Sequence, residues 1–157
     1  MARLARSDED SFPVSQFDFG KTYVYMVRSS MHAQGNQIES DPSDPLIVAP
    51  VDTFPPAIPQ NVVAAVTSAT ADAPLEVELS WSINTETDLA GYHVYRSEQE
   101  NDPGELVSRD LLLSPAYRDT SVRFNRRYWY RITAVDRAGN ESVPSAPALA
   151  DVAQRSP

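Results

Sequence analysis

The stretch VRFNRRYWYRITAVDRAGNESVPSAP, Val122 to Pro147, carries three large rings in consecutive positions, Tyr128, Trp129 and Tyr130, with arginines on both sides. Successive side chains of an extended strand point to opposite faces. Tyr128, Tyr130, Ile132 and Ala134 therefore share one face, and Trp129, Arg131, Thr133 and Val135 share the other. The first set is apolar and the second is mixed, the pattern of a strand with one face in a core. The DRAGN turn, Asp136 to Asn140, closes the run.

The same period of two recurs upstream. LEVELSWSI alternates Leu75, Val77, Leu79, Trp81 and Ile83 against Glu76, Glu78, Ser80 and Ser82, which predicts a half-buried strand with a charged outer face. GYHVYRS places Tyr92 and Val94 on one side and His93 and Tyr95 on the other. NTETDLAG, ENDPG and DRAGN separate these runs as turns. No stretch has a clear amphipathic-helix period; ELVSRDLLLS comes nearest and reads as strand and loop. Short alternating strands at this spacing predict an all-β antiparallel sandwich. The run DPSDPLIVAPVDTFPPAIPQ, Asp41 to Gln60, holds six prolines. Proline lacks the backbone donor and fixes φ, so LIVA reads as an edge strand and Val51–Pro56 as a stiff linker.

An internal repeat sets the domain organisation. FDFGKTYVYMVRS, Phe17 to Ser29, falls on VRFNRRYWYRITA, Val122 to Ala134, so that Phe19 meets Phe124, Tyr23 meets Tyr128, Tyr25 meets Tyr130 and Val27 meets Ile132. NQIESDPSDP then echoes NESVPSAP after a longer turn. The first copy has no counterpart of the Trp81 or Tyr92 strands. Residues 1–50 thus read as the closing strands of one truncated unit, 51–56 as the linker, 57–152 as a complete unit and 153–157 as a tail. A hairpin of that kind leaves an apolar face uncovered. It is expected to be disordered or loosely docked alone, or completed by another chain through strand addition.

Composition excludes several functions. The net charge is −9, and both units are acidic, which argues against binding nucleic acid or an anionic membrane surface. There is no cysteine, hence no disulfide, thiolate zinc site or cysteine nucleophile. The opening MARLARSDEDSF has no apolar core ahead of its acidic cluster and is not expected to be a signal peptide. No apolar run approaches the roughly 20 residues that span a bilayer, so membrane insertion is not expected. His32 and His93, the two histidines, lie near no nucleophile motif. Glu76 and Glu78 would suit a carboxylate pair only under a cleft, and read as solvated charge. ESDPSDP lacks calcium-loop spacing. Asn140 opens an N-x-S pattern, although GNES is equally a good hairpin turn. No catalytic, cofactor-binding or metal-binding residue is expected.

At this point the chain resembles the fibronectin type III family. The resemblance rests on PPAIPQNVVA for a first strand, Trp81 in LSWS for a second, DLAGYHVYRS for a third, the Tyr128, Ile132 and Ala134 pattern, and ESVPSAP before the last. FDFGKTY carries the family's glycine turn in the first copy; in the second, Asn125 replaces the glycine, and Asn tolerates the left-handed conformation. The resemblance implies an immunoglobulin-like antiparallel β-sandwich with seven strands in the complete copy. It also implies a tyrosine corner at Tyr128, whose hydroxyl bonds back to upstream backbone.

The functional expectation follows from that likeness. The module would be a non-catalytic spacer or adhesive domain of a larger secreted or cell-surface protein, bacterial in wording, with neighbouring domains of its own parent chain as partners. The alternative is a dedicated glycan- or protein-binding module. The Arg-Gly-Asp tripeptide of some adhesive members is absent. In the resembled fold the Trp129 strand lies beside the His93 strand, so His93, Tyr95, Trp129 and Arg131 share an outer face. Such rings could stack on a sugar or anchor a protein partner, or form a cross-strand aromatic pair capped by arginine. Arg123, Arg126, Arg127 and Arg131 are expected to pair with acidic neighbouring strands.

Overall fold

The computed structural model describes residues 6–9, 11–67 and 75–153; the expected tail beyond Ala153 and the first residues of the opening lie outside the described residues. Two compact units divide the chain, Met1–Asp52 and Thr53–Pro157. Neither contains a helix among the described residues.

In the first unit β1 (Tyr23–Tyr25) pairs antiparallel with β4 (Leu46–Val48). Between them β2 (Ser30–Ala33) and β3 (Asn36–Glu39) form a tight hairpin. Gln34 at φ 50° and Gly35 at φ 80° make its turn, the left-handed pair whose twist matches that of the flanking strands. Val51–Pro56 contains no strand.

Among the described residues the second unit holds the expected seven strands. β5 (Val63–Thr67), β6 (Glu76–Ser80) and β9 (Ala116–Asp119) form one sheet in the order β5-β6-β9. β7 (Leu89–Ser97), β8 (Glu105–Leu106), β10 (Arg126–Asp136) and β11 (Ala148–Val152) form the other, ordered β11-β10-β7-β8. All pairs are antiparallel. The apolar alternation of the sequence becomes the core between them. Val77, Leu79 and Trp81 face Tyr92, Val94, Tyr130 and Ile132, and all are buried. Trp81 meets Tyr92 edge-on, with centroids 5.2 Å apart.

Two features outside the core geometry hold β10. The Tyr128 hydroxyl accepts from the Arg123 backbone N–H at 3.2 Å, the corner implied by the family likeness. Pro144 and Pro147 prevent the segment before β11 from completing a regular ladder. The Ser142 and Ser145 hydroxyls take the place of carbonyls, accepting from Ala134 N–H and Ile132 N–H at 3.0 Å each. Buried backbone donors are thereby satisfied.

Three positions depart from simple alternation. Glu76 was expected on a solvated face, yet it is buried, because Arg118 of the neighbouring β9 lies 3.3 Å from its carboxylate. Arg118 also binds Glu78 at 2.9 Å, so one guanidinium holds both glutamates. Ile83 is expected on the core face, yet it is 64% exposed, since β6 ends at Ser80 and the alternation reaches no further than the buried Trp81. Thr133 lies on the outer face but is buried beneath neighbouring side chains.

Candidate binding face

The outer face of β7 and β10 gathers the residues singled out by sequence. The register places Arg131 opposite Tyr95, Thr133 opposite His93, and Trp129 between Ser97 and Leu149. All four candidates, His93, Tyr95, Trp129 and Arg131, are half-buried rather than fully exposed.

A carboxylate that sequence reasoning did not single out organises half of this face. Glu141 follows the Asp136–Asn140 turn, which is closed by Asn140 N–H and its side-chain amide donating to the Asp136 carboxylate at 2.8 Å each. From there Glu141 Oε1 accepts from Thr133 Oγ1 at 2.5 Å and Tyr95 Oη at 2.8 Å, and lies 3.3 Å from His93 Nδ1. Partial burial pushes the Glu141 carboxyl up, but the bonds from Thr133, Tyr95 and His93 outweigh it and hold the group below its ordinary value. Burial, then the Glu141 bond and charge, push the Tyr95 phenol up. The His93 and Tyr95 rings meet edge to face at 6.4 Å. Only Glu141's place after a turn, next to the end of a strand, could have signalled this role.

Arg131 has a different task. Its guanidinium donates to the Asp102 carbonyl at 2.7 Å and to the Glu100 carbonyl, so it grips the loop between β7 and β8. The expected arginine cap over Trp129 is therefore not formed. The cation–π contact found among the described residues is instead Arg96 over Tyr128, at 5.2 Å from the ring centroid. Trp129 alone of the four candidates has no side-chain hydrogen bond or ring contact among the described residues; its cross-strand neighbour Leu149 is 49% exposed. Arg126 and Arg127 pair with Glu98 at 3.1 Å and Asp151 at 2.9 Å, as their acidic neighbours suggested.

Around the end of the same sheet runs an open polar groove of about 450 Å³, lined in part by Arg96, Glu98, Asp102, Glu105, Arg123 and Arg126. Its walls carry both signs of charge and little apolar surface. Arg96, one of the lining residues, donates to the buried Asp119 carboxylate at 2.7 Å, which also accepts from Tyr130 at 2.9 Å.

Strand order, the buried Trp81 and the tyrosine corner define the second unit as a fibronectin type III-like domain with an immunoglobulin-like sandwich fold. No family model matches the chain. A solved Fn3-like protein from Clostridium thermocellum superposes with a TM-score of 0.52 at 27% identity, covering 64% of this chain and 94% of that one. Among curated proteins, an amylopullulanase of Thermoanaerobacterium saccharolyticum is 38% identical over 100 residues, 63% of this chain and 7% of the relative. Exoglucanase B of Cellulomonas fimi is 34% identical over 151 residues, 91% of this chain and 12% of the relative. The chain thus matches only a small part of each of these much longer enzymes.

Proposed function

We propose that the chain is a non-catalytic fibronectin type III module of a larger, extracellular, carbohydrate-active protein, where it serves as a spacer between neighbouring domains. The observation that carries this reading is the internal commitment of the polar groups on its best-formed face. Glu141 is occupied by Thr133, Tyr95 and His93, and Arg131 by two loop carbonyls. No acid, base or nucleophile among them is left to meet a substrate. The relatives support the context, since the proteins named amylopullulanase and exoglucanase share with it only a small stretch of their length.

The test is a pair of assays on the full chain. Incubated with soluble starch and carboxymethylcellulose, it should release no reducing sugar; in sedimentation with insoluble starch and cellulose, it should stay in the supernatant. Sugar release would overturn the reading.

A second reading, a dedicated sugar- or protein-binding module, is favoured by Trp129. A half-buried indole without a side-chain partner among the described residues, beside exposed Leu149, offers the flat apolar surface on which a pyranose ring stacks. Retention on a polysaccharide that is lost in Trp129→Ala, with folding intact, would favour it over the spacer.

A further inference from the structure

The first unit repeats the closing hairpin of the second, bond for bond. Tyr23 Oη accepts from Asp18 N–H at 2.7 Å, as Tyr128 Oη accepts from Arg123 N–H at 3.2 Å. Gly20, at φ 76°, stands where Asn125 stands at φ 61°. Gly20 N–H donates to the Pro50 carbonyl at 3.1 Å, and Asn125 N–H to the Val152 carbonyl at 2.8 Å. Val27 N–H donates to Ser43 Oγ at 3.0 Å and Ser29 N–H to Ser40 Oγ at 3.1 Å. In the second unit Ile132 and Ala134 do the same with Ser145 and Ser142. The strand register agrees too, since Tyr23 faces Val48 and Tyr25 faces Leu46 where Tyr128 faces Ala150 and Tyr130 faces Ala148.

Burial is where the two copies part. Ile132 is 0% exposed and its counterpart Val27 is 73%; Val122 is 7% and its counterpart Phe17 is 44%. In the second unit β7 pairs the free side of β10, and Val77, Leu79 and Trp81 close over its inner face. In the first, among the described residues, β1 pairs with β4 alone.

We propose that the Phe17–Pro50 hairpin is a docking surface for five strands of the β5-to-β9 kind, supplied by the parent polypeptide on its amino-terminal side. The repeated geometry specifies the occupant. The free side of β1 needs a β7-like strand to hydrogen-bond it, and the inner face needs a separate sheet to cover it. A second copy of the hairpin could supply one of these but not both. The match to exoglucanase B runs through both units while taking 12% of that protein, so the hairpin and the complete domain recur together inside a far longer chain.

Hydrogen exchange on the full 157-residue chain, read by NMR at several concentrations, tests this. The β1 amides should exchange about 100-fold or more faster than those of Trp129 and Tyr130. The chain is then extended by placing a second copy of its residues 53–121 ahead of Phe17. In a parallel variant a flexible Gly-Ser linker joins that copy to Phe17. In at least one extended chain the β1 amides should slow about tenfold or more while the protein stays monomeric, and Val27→Asp should cancel that gain without altering the second unit. Three results would overturn the proposal: β1 as protected as β10 in the unextended chain, protection that grows with concentration as dimers form, or no gain from either extension.

Discussion

Tyr130 donates its hydroxyl to the Asp119 carboxylate at 2.9 Å, joining a strand of one sheet to a strand of the other through the middle of the sandwich. Asp119 also accepts from Arg96 at 2.7 Å and from the Ser121 N–H and hydroxyl at 2.9 and 2.7 Å. The carboxylate is 2% exposed, so its charge is sustained by these donors rather than by water. Asp119→Ala would take the acceptor from a buried phenol and the carboxylate from a guanidinium that keeps the Ser121 hydroxyl. A loss of about 3–5 kcal/mol is expected by urea denaturation, against about 1 kcal/mol for Tyr130→Phe, which removes a single bond.

The same group sets a pH dependence. Burial pushes Asp119 up, but the Ser121, Arg96 and Tyr130 bonds prevail and hold it below the ordinary aspartate value. Its folded-state pKa is thus depressed, so its contribution is present above the unfolded value of roughly 3.9 and disappears as pH falls through the folded one. Tyr130 is shifted the other way, upward, by burial first and then by the Asp119 charge. Its contribution is complete below an unfolded pKa of about 10 and is lost as pH rises beyond it. Melting temperature should therefore fall at both extremes. Asp119→Asn should flatten the acid limb; an unchanged acid limb in that variant would assign it to other carboxylates.

Core packing predicts two further losses. Trp81 is 6% exposed and meets Tyr92 edge-on, so Trp81→Ala should cost about 3–5 kcal/mol. Gly91 allows close passage of the chain, because a Cβ there would lie 2.6 Å from the Leu112 carbonyl oxygen. That carbonyl accepts from Tyr92 N–H at 2.9 Å and cannot retreat freely, so Gly91→Ala should cost about 1–3 kcal/mol. Thermal melts of both variants check this directly.

Two neighbours on the outer face should behave differently. Trp129→Ala should lower stability by no more than about 1 kcal/mol, the scale of a cross-strand pair. Arg131→Ala should release the loop it grips, speeding proteolysis near Glu100–Asp102 by about tenfold or more at little change in melting temperature. Strong destabilisation by Trp129→Ala would return that ring to the core.

Much of the sandwich was legible in the chain because it depends on local rules. Tyr92, Val94, Tyr130, Ile132 and Ala134 are buried where alternation put them, since an extended backbone turns successive side chains to opposite faces whatever the partner strand. Tyr128 could be given its corner role from a motif, because the donor, Arg123, is only five residues away. Most of the face chemistry was not legible, since all its contacts but the Thr133–Glu141 bond join residues far apart in sequence. Tyr95 reaches Glu141 across 46 residues, Arg118 reaches Glu78 across 40, and Arg131 reaches Glu100 across 31. Periodicity shows that Arg131 points outward and Glu76 sits beside Glu78. Only the strand register decides that Arg131 takes loop carbonyls instead of Trp129, and that Arg118 draws Glu76 under cover.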